Sequence, residues 1–192
     1  MPQVRSAAKI IATCRPGKLS REERLQLLKE AIDMGAALID LEIESDDEYM
    51  QELIAYAKEH NTEVIISWHN FERTPEKEEL EDLLEECYAK GADIAKIATF
   101  VNDESDNAKL LSLYTRKGRK VVLGMGENGK ITRFAATQLG AEFTFASMGE
   151  GSETAPGQIT IEEFAALNKI LRPSFILIFF ARFFDSFFNI TY

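Results

Sequence analysis

Lys96 and His69 are the residues whose types and surroundings point most directly to chemistry. Lys96 is the one charged residue in an apolar run, residues 94–98, that is typical of a buried strand. His69 ends a similar run one predicted strand earlier. Burying an ammonium is costly without a partner, and burial favours the neutral amine, which is a nucleophile. An amine and an imidazole at the ends of neighbouring strands therefore indicate Schiff-base chemistry assisted by general acid–base transfer.

Either residue alone also has an ordinary structural interpretation. A lysine in a strand can extend its ammonium to solvent at the strand end, and a histidine can serve as a polar loop residue. That interpretation is favoured for each residue taken singly. The pair, together with the polar residues described next, favours catalysis.

Four further residues could hold a polar substrate. Arg15 follows the first apolar run. Arg133 lies in the first turn of a predicted helix, where a cation opposes the helix dipole, so a bidentate contact to a carboxylate is its natural use. In residues 152–158, a Pro-Gly turn leaves Thr154 and Gln158 free to offer a hydroxyl and an amide. With the amine and the imidazole, these groups suit a polyhydroxylated carboxylate that also bears a ketone.

A repeating βα pattern must position these residues. Six short apolar runs alternate with amphipathic helical stretches, and the strand starts recur at about the length of one βα unit. Such repeats form a parallel sheet, either open and doubly wound or part of a (β/α)8 barrel, and both gather ligands at the carboxyl ends of the strands. Arg15, His69 and Lys96 all fall at such ends. The predicted strands are residues 9–14, 38–43, 63–68, 94–98, 120–125 and 143–147.

Helices with recognisable N-terminal capping residues separate the predicted strands. Ser20 and Glu23 form a capping box for the first helix. Asp46 or Asp47 opens the second helix, and Thr74-Pro75 opens the third. Three more helices are predicted over residues 105–116, 130–139 and 161–171.

A glycine-rich segment, residues 124–129, matches a G-x-G-x-x-G template between a strand and a helix, with Glu142 downstream. The motif follows the fifth strand rather than the first, and Glu127 would repel a pyrophosphate. A dinucleotide site is therefore disfavoured. The glycines are better explained as letting the loop pass close to a substrate.

Composition limits the class of protein. The chain has 192 residues and a net charge of −10, which suits one well-cored domain and disfavours a nucleic acid or an anionic membrane as the main partner. Cys14 and Cys87 have neither metal-binding nor disulfide spacing. Because the first residues contain no apolar signal segment, a cytoplasmic location is expected.

Residues 172–192 depart from the βα pattern. Arg172-Pro173 breaks the last predicted helix, and seven of the thirteen phenylalanines follow. The apolar run is too short to span a bilayer. It could pack on the sheet, bind a partner or be an aggregation-prone extension without function, and the last is favoured. We expect a catalytic domain over residues 1–171 followed by this Phe-rich tail.

Six motifs in order give the chain a resemblance to the type I 3-dehydroquinate dehydratases of the shikimate pathway. Each motif alone is weak, but the ordered set is highly specific. The motifs are Ala12-Thr13-Cys14-Arg15, Ile39-Asp40-Leu41-Glu42, Ser67-Trp68-His69-Asn70-Phe71 with Thr74-Pro75, Ala95-Lys96-Ile97-Ala98, Gly129-Lys130-Ile131-Thr132-Arg133 and Ala155-Pro156-Gly157-Gln158.

The resemblance implies a (β/α)8 barrel that uses no metal or organic cofactor. Lys96 would form a Schiff base with the C3 ketone of 3-dehydroquinate. His69 would remove the acidified C2 proton and then protonate the departing C1 hydroxyl. The expected partners are this small-molecule substrate and, at most, a second copy of the chain, with no nucleic acid or membrane.

The resemblance also assigns the remaining site residues. Arg133 matches the arginine that binds the substrate carboxylate. Asp40 matches an acidic residue near the histidine and is expected to orient its imidazole, and Met125 is expected to support the site. The other expected substrate contacts are Arg15, Thr154 and Gln158.

The chain also departs from the family. Family members begin with two further βα units, the second carrying a Glu-x-Arg pair, and nothing before Lys9 supplies them. We therefore expect a truncated barrel of about six units, with open strand edges and impaired activity. The alternatives are another Schiff-base lyase such as an aldolase, which would not need residues 154–158, and a non-catalytic fragment that associates with itself.

Overall fold

The computed structural model describes residues 9–149 and 151–171. It contains a parallel five-stranded sheet in which each strand pairs with the next one along the chain, in the order β1-β2-β3-β4-β5. The strands are β1 (Ile11–Thr13), β2 (Leu38–Glu42), β3 (Glu63–Asn70), β4 (Ile94–Phe100) and β5 (Lys120–Met125). This arrangement confirms the predicted α/β class with sequential, parallel βα units.

Helices connect the strands and follow the last one. They are α1 (Arg21–Asp33), α2 (Asp47–Glu59), α3 (Lys77–Ala89), α4 (Glu104–Ser112), α5 (Lys130–Gln138) and α6 (Ile161–Leu171). Short 3-10 turns cover Leu113–Thr115 and Glu127–Gly129. The predicted helix over residues 105–116 is therefore shorter, because its last turn tightens into 3-10 geometry.

Side-chain caps explain where α1 and α2 begin. The contacts of Thr74 explain why α3 begins later than predicted. Ser20 and Glu23 form the predicted capping box, and Asp46 caps α2 by accepting from the Tyr49 amide. Thr74 does not cap α3, which begins at Lys77. The Thr74 hydroxyl instead lies 2.8 Å from the Thr99 hydroxyl and 2.9 Å from the Phe100 carbonyl, so it ties the loop to the end of β4.

The two faces of the sheet carry two separate apolar clusters. Alternate strand residues such as Ile39, Ile66 and Ile97 pack with residues of α1–α4 on the outer face. The strand residues that point to the opposite face, including Ile65 and Leu123, form the inner cluster. Because side chains alternate along a strand, the register also places a set of polar residues on the inner face. These are Asp40, Glu42, Ser67, His69 and Lys96.

The sixth predicted strand, residues 143–147, is not a regular strand. The Glu142 amide bonds to the Lys120 carbonyl at the start of β5, but the pairing does not continue. Phe143 is buried in the inner cluster, and Ser147 makes a single parallel bridge to Thr160. Ser147 is the residue of this segment that bonds there through its backbone: its amide donates to the Ile159 carbonyl, and its carbonyl accepts from the amide of Ile161 at the start of α6, both at 2.9 Å.

None of the helices within the described residues has the length and apolar character needed to cross a membrane. The predicted Phe-rich tail, residues 172–192, lies outside the described residues.

Candidate active site

Lys96 is buried and paired with a carboxylate. Its side chain projects from the middle of β4 onto the inner face, and the residue is 5% exposed. Its Nζ donates to Asp40 Oδ2 at 2.7 Å across the intervening strand β3. Burial acts to raise the pKa of Asp40, but the charge and hydrogen bond of Lys96 hold it below its usual value. Asp40 is therefore a carboxylate, and the lysine that looked isolated in the sequence has a buried ionic partner.

Ser67 completes the hydrogen bonding of that carboxylate. Its hydroxyl donates to Asp40 Oδ1 at 2.6 Å, and Ser67 lies opposite Lys96 in the register of β3 and β4. Ser67 was not predicted as a site residue, although it occupies the same face as His69, two positions away on β3. That alternation is the sequence signal that could have identified it.

His69 lies at the carboxyl end of β3 beside Arg15. The Arg15 guanidinium nitrogens are 3.3 Å from Nδ1 and 3.1 Å from Nε2 of the imidazole. Burial, followed by the positive charges of Lys96 and Arg15, lowers the pKa of His69 to about 3. The imidazole is therefore neutral near pH 7 and has a lone pair that can accept a proton.

The expected role of Asp40 differs from its observed contacts. Its side-chain hydrogen bonds go to Lys96 and Ser67, whereas the hydrogen-bond partner of the His69 ring is Arg15. The charge of Asp40 nevertheless acts on His69, because it raises the pKa of the ring against the larger lowering by burial, Lys96 and Arg15. That Asp40 orients the imidazole of His69 therefore stays a prediction.

Arg15 is held by a carboxylate that sequence reasoning did not select. Glu42 Oε1 accepts from Arg15 Nη1 at 2.6 Å at the carboxyl end of β2. Glu42 ends the motif Ile39-Asp40-Leu41-Glu42, and the sequence alone predicts no role for it. Its position two residues after Asp40 on the same face of β2 explains how both carboxylates reach the site.

An apolar wall borders the ammonium. Lys96 Nζ lies 4.8 Å from the centre of the Phe145 ring, which packs against the inner cluster. Met125, at the end of β5, is buried in that same cluster. The face of the Phe145 ring therefore attracts the ammonium by a cation–π interaction.

Arg133 is a buried cation that lacks an anionic partner among the described residues. It is 1% exposed on α5, and its Nη2 donates to the Pro156 carbonyl at 3.2 Å. Its Nε has no hydrogen-bond partner within the described part of the chain. Burial lowers its pKa to about 10, which still leaves the guanidinium charged at pH 7. A buried guanidinium with unused donors is suited to a carboxylate ligand.

The Pro156 carbonyl joins Arg133 to the loop after residue 152. It also accepts from the Gly126 amide at 3.1 Å, directly after β5. Gln158 is buried, and its Oε1 accepts from the amide of Thr154 at 2.7 Å and from its hydroxyl at 3.2 Å. The structure thus brings Arg133, Thr154 and Gln158 together at the carboxyl end of β5, the strand next to Lys96.

The glycine motif has a packing explanation. A Cβ on Gly129 would lie 2.5 Å from the Gly124 carbonyl carbon, and one on Gly157 would lie 2.1 Å from the Gly126 carbonyl oxygen. These glycines let two stretches of this chain approach each other closely. No group of three or more possible metal-ligating side chains occurs among the described residues.

Comparison with known proteins gives one consistent family. The family described as type I 3-dehydroquinase matches residues 1–176. The 3-dehydroquinate dehydratase of Methanococcus maripaludis strain C5 is 42% identical over 157 residues, which are 80% of this chain and 70% of that protein. The corresponding protein of Methanocaldococcus jannaschii is 38% identical over 157 residues, with the same coverage of both chains.

Solved structures agree with this family. A type I 3-dehydroquinate dehydratase from Clostridium difficile, determined with covalently modified comenic acid, has a TM-score of 0.76 and 30% identity, covering 85% of this chain and 68% of that one. The 3-dehydroquinate dehydratase from Aquifex aeolicus VF5 has a TM-score of 0.76 and 34% identity, covering 86% and 75%. The ordered motifs, the parallel βα fold and these similarities lead to one conclusion: the chain belongs to the type I 3-dehydroquinase family.

Proposed function

We propose that this chain converts 3-dehydroquinate to 3-dehydroshikimate and water, in aromatic amino-acid (chorismate) biosynthesis, through a Schiff base on Lys96. The observation that carries the proposal is the buried Lys96–Asp40 pair, one strand away from a neutral imidazole at His69. This juxtaposition supplies a nucleophile, a proton acceptor and a general base within one low-dielectric site.

The first step is the attack of Lys96 on the C3 ketone. The ammonium must lose a proton before Nζ can act as a nucleophile, and Asp40 is the carboxylate hydrogen-bonded to that nitrogen. Nζ then forms a bond to C3, and the ketone oxygen takes one proton from Nζ and the proton held by Asp40 and leaves as water. The resulting cationic imine withdraws electrons from the adjacent carbon, so the C2 proton becomes acidic.

His69 carries the proton in the second step. Its neutral ring takes the proton from C2, and the electron pair of that C–H bond forms the C1–C2 double bond as the C1 hydroxyl leaves. The protonated ring donates its proton to the hydroxyl, which departs as water. Hydrolysis of the imine then consumes one water molecule and restores the amine, so the net change is the loss of one water from the substrate.

The remaining polar residues orient the substrate. Arg133 supplies a buried charge for the carboxylate, because its Nε is unpaired among the described residues. Thr154, Gln158 and Arg15 supply hydroxyl, amide and guanidinium groups for the substrate hydroxyls. In this arrangement Arg15 exchanges part of its contact with His69 for a contact with the substrate, which frees the imidazole for proton transfer.

Location and assembly complete the proposal. A cytoplasmic location fits the two cysteines, Cys14 and Cys87, which are both free thiols. A second copy of the chain is the assembly to test, by sedimentation of the full chain at several concentrations. The chemistry proposed here uses residues of one chain.

The direct test of function is turnover of 3-dehydroquinate, followed by the ultraviolet absorbance of the conjugated enone product. We expect the absorbance to rise with the unaltered chain and not with Lys96→Met. Absence of turnover in folded, unaltered protein would contradict the proposed activity of this chain.

A further inference from the structure

Ser67 is a buried polar residue to which neither the motifs nor the proposed mechanism gives a role. It lies on the inner face of β3, with Ile65 before it and His69 after it on the same face. Its hydroxyl donates to Asp40 Oδ1 at 2.6 Å and lies 3.4 Å from the Leu41 carbonyl. The short distance to a carboxylate marks the first contact as a charge-assisted hydrogen bond.

The two oxygens of Asp40 have different partners. Oδ1 accepts from Ser67, and Oδ2 accepts from Lys96 at 2.7 Å. Two bonds on opposite oxygens fix the rotation of the carboxylate about its Cβ–Cγ bond. Since β3 lies between the strands of Asp40 and Lys96, Ser67 is placed to set the direction in which Asp40 faces.

Removal of the hydroxyl would free that rotation. Asp40 would keep its charge, but Oδ1 would be buried without this donor, which is unfavourable. The charged and titratable groups that face Asp40 are Lys96 from β4, Arg15 from the end of β1 and His69 from β3. The carboxylate could then turn toward Arg15, and Nζ of Lys96 would lose its fixed position.

We propose that Ser67 is a positioning residue for the dehydration: it holds Asp40 toward Lys96, so that the amine is fixed where the ketone carbon must arrive. This inference rests on the function proposed above. Ser67 acts through Asp40 and not on the substrate, so its loss affects formation of the imine rather than binding of the carboxylate and hydroxyls.

Two substitutions at Ser67 separate the hydrogen bond from packing. Ser67→Ala removes the donor and leaves a small void. Ser67→Cys fills the void but provides only a weak donor. For both variants we expect kcat and the rate of borohydride-trapped adduct formation on Lys96 to fall about tenfold or more, as for loss of a hydrogen bond to a charged group, with KM changed less than about twofold.

Thr99→Val is the matched control. Thr99 is a buried hydroxyl on β4, but its partner is the Thr74 hydroxyl on the other face of the sheet. Valine keeps the shape of threonine and removes the hydroxyl. We expect a lower Tm with kcat within about twofold of the unaltered chain.

The outcomes distinguish the two proposals. If the unaltered chain neither turns over 3-dehydroquinate nor forms an adduct, the proposed function fails. If it is active and folded Ser67→Ala is equally active, the positioning role is overturned. Full activity in Ser67→Cys alone would overturn it too, because the loss in alanine would then be due to the void. Should the alanine variant fail to fold, the cysteine variant carries the same test.

Discussion

Two lysines are buried in neighbouring strands of this sheet, and their surroundings differ in every respect that matters for chemistry. Lys96 lies on the inner face of β4, where its partner is the Asp40 carboxylate. Lys120 is the first residue of β5, and its Nζ donates to the carbonyls of Arg116 and Gly118 at 2.6 and 2.7 Å. Burial lowers the pKa of Lys120, yet its donors are engaged by backbone that belongs to a structural turn.

The comparison shows that burial alone does not identify a catalytic lysine. Both residues are nearly inaccessible, and both follow the same rule that a buried ammonium needs partners. The register pairs Lys120 with Ala95, so the two lysines lie at nearly the same level of the sheet, and what separates them is the face and the partner. Toward the carboxyl ends of the strands lie groups that can act on a substrate, such as the neutral imidazole of His69 and the Nε of Arg133, which has no hydrogen-bond partner among the described residues.

The largest expected effect is the contrast between Lys96→Met and Lys120→Met. The first substitution removes the nucleophile, so we expect no measurable turnover. The second leaves two carbonyls without their donor, so we expect a loss of about 1–3 kcal/mol in the free energy of unfolding, with kcat within about twofold. Denaturant unfolding and steady-state turnover of both variants check this contrast. Equal loss of activity in the two variants would contradict the prediction that only Lys96 is needed for turnover.

His69→Gln tests the general base beside Lys96. Glutamine keeps a polar side chain but cannot take the C2 proton, so kcat should fall by about 10²- to 10⁴-fold. The adduct on Lys96 should still be trapped by borohydride, since the nucleophile is intact. A kcat reduced less than tenfold would mean that another group removes the proton.

Arg133→Gln tests the proposed carboxylate site at the end of β5. Loss of a buried guanidinium that binds a carboxylate should lower kcat/KM about 10- to 100-fold, mostly through KM. Arg116→Gln is a suitable control, because Arg116 pairs with Glu81 and Glu85 on the outer surface. An unchanged KM in folded Arg133→Gln would place the substrate carboxylate elsewhere.

The smallest expected effect concerns pH. The pKa of His69 is about 3 in the folded chain, so kcat/KM should show no inflection near pH 6.5, the usual histidine value. Because the folded pKa lies below the unfolded one, His69 contributes stability that is complete above about pH 6.5 and is lost as the pH falls toward 3. His69→Gln should lack this part of the acid dependence. An inflection of kcat/KM near 6.5 that His69→Gln abolishes would show that the ring titrates normally.

Much of the fold followed from the sequence because its signals are local. Ser20 and Glu23 predicted the start of α1, and five of the six apolar runs became paired strands. Residues 143–147 did not, because a short run containing two phenylalanines can bury its side chains without a strand ladder. The spacing of apolar residues in the sequence predicts which side chains are buried, but it does not predict the hydrogen-bond partners of the backbone.

The sequence predicted which residues lie in the site better than it predicted which of them contact one another. Lys96 and His69 were selected because a charged or titratable residue in an apolar run is rare. The pairing of Asp40 with Lys96, and of Ser67 with Asp40, depends on the register of three strands that lie far apart in sequence. Such contacts follow from the fold and not from any local pattern, which is why the sequence predicted neither the bond between Asp40 and Lys96 nor a role for Ser67.

The most direct test of the account is the mass of the trapped adduct. The unaltered chain is incubated with 3-dehydroquinate and borohydride, digested, and searched for a peptide whose mass has increased by the reduced adduct. We predict that the modified peptide contains Lys96, that the peptide containing Lys120 is unmodified, and that Lys96→Met forms no adduct. Folded protein that forms no adduct, or that forms it on another lysine, would contradict the assignment of Lys96 as the nucleophile.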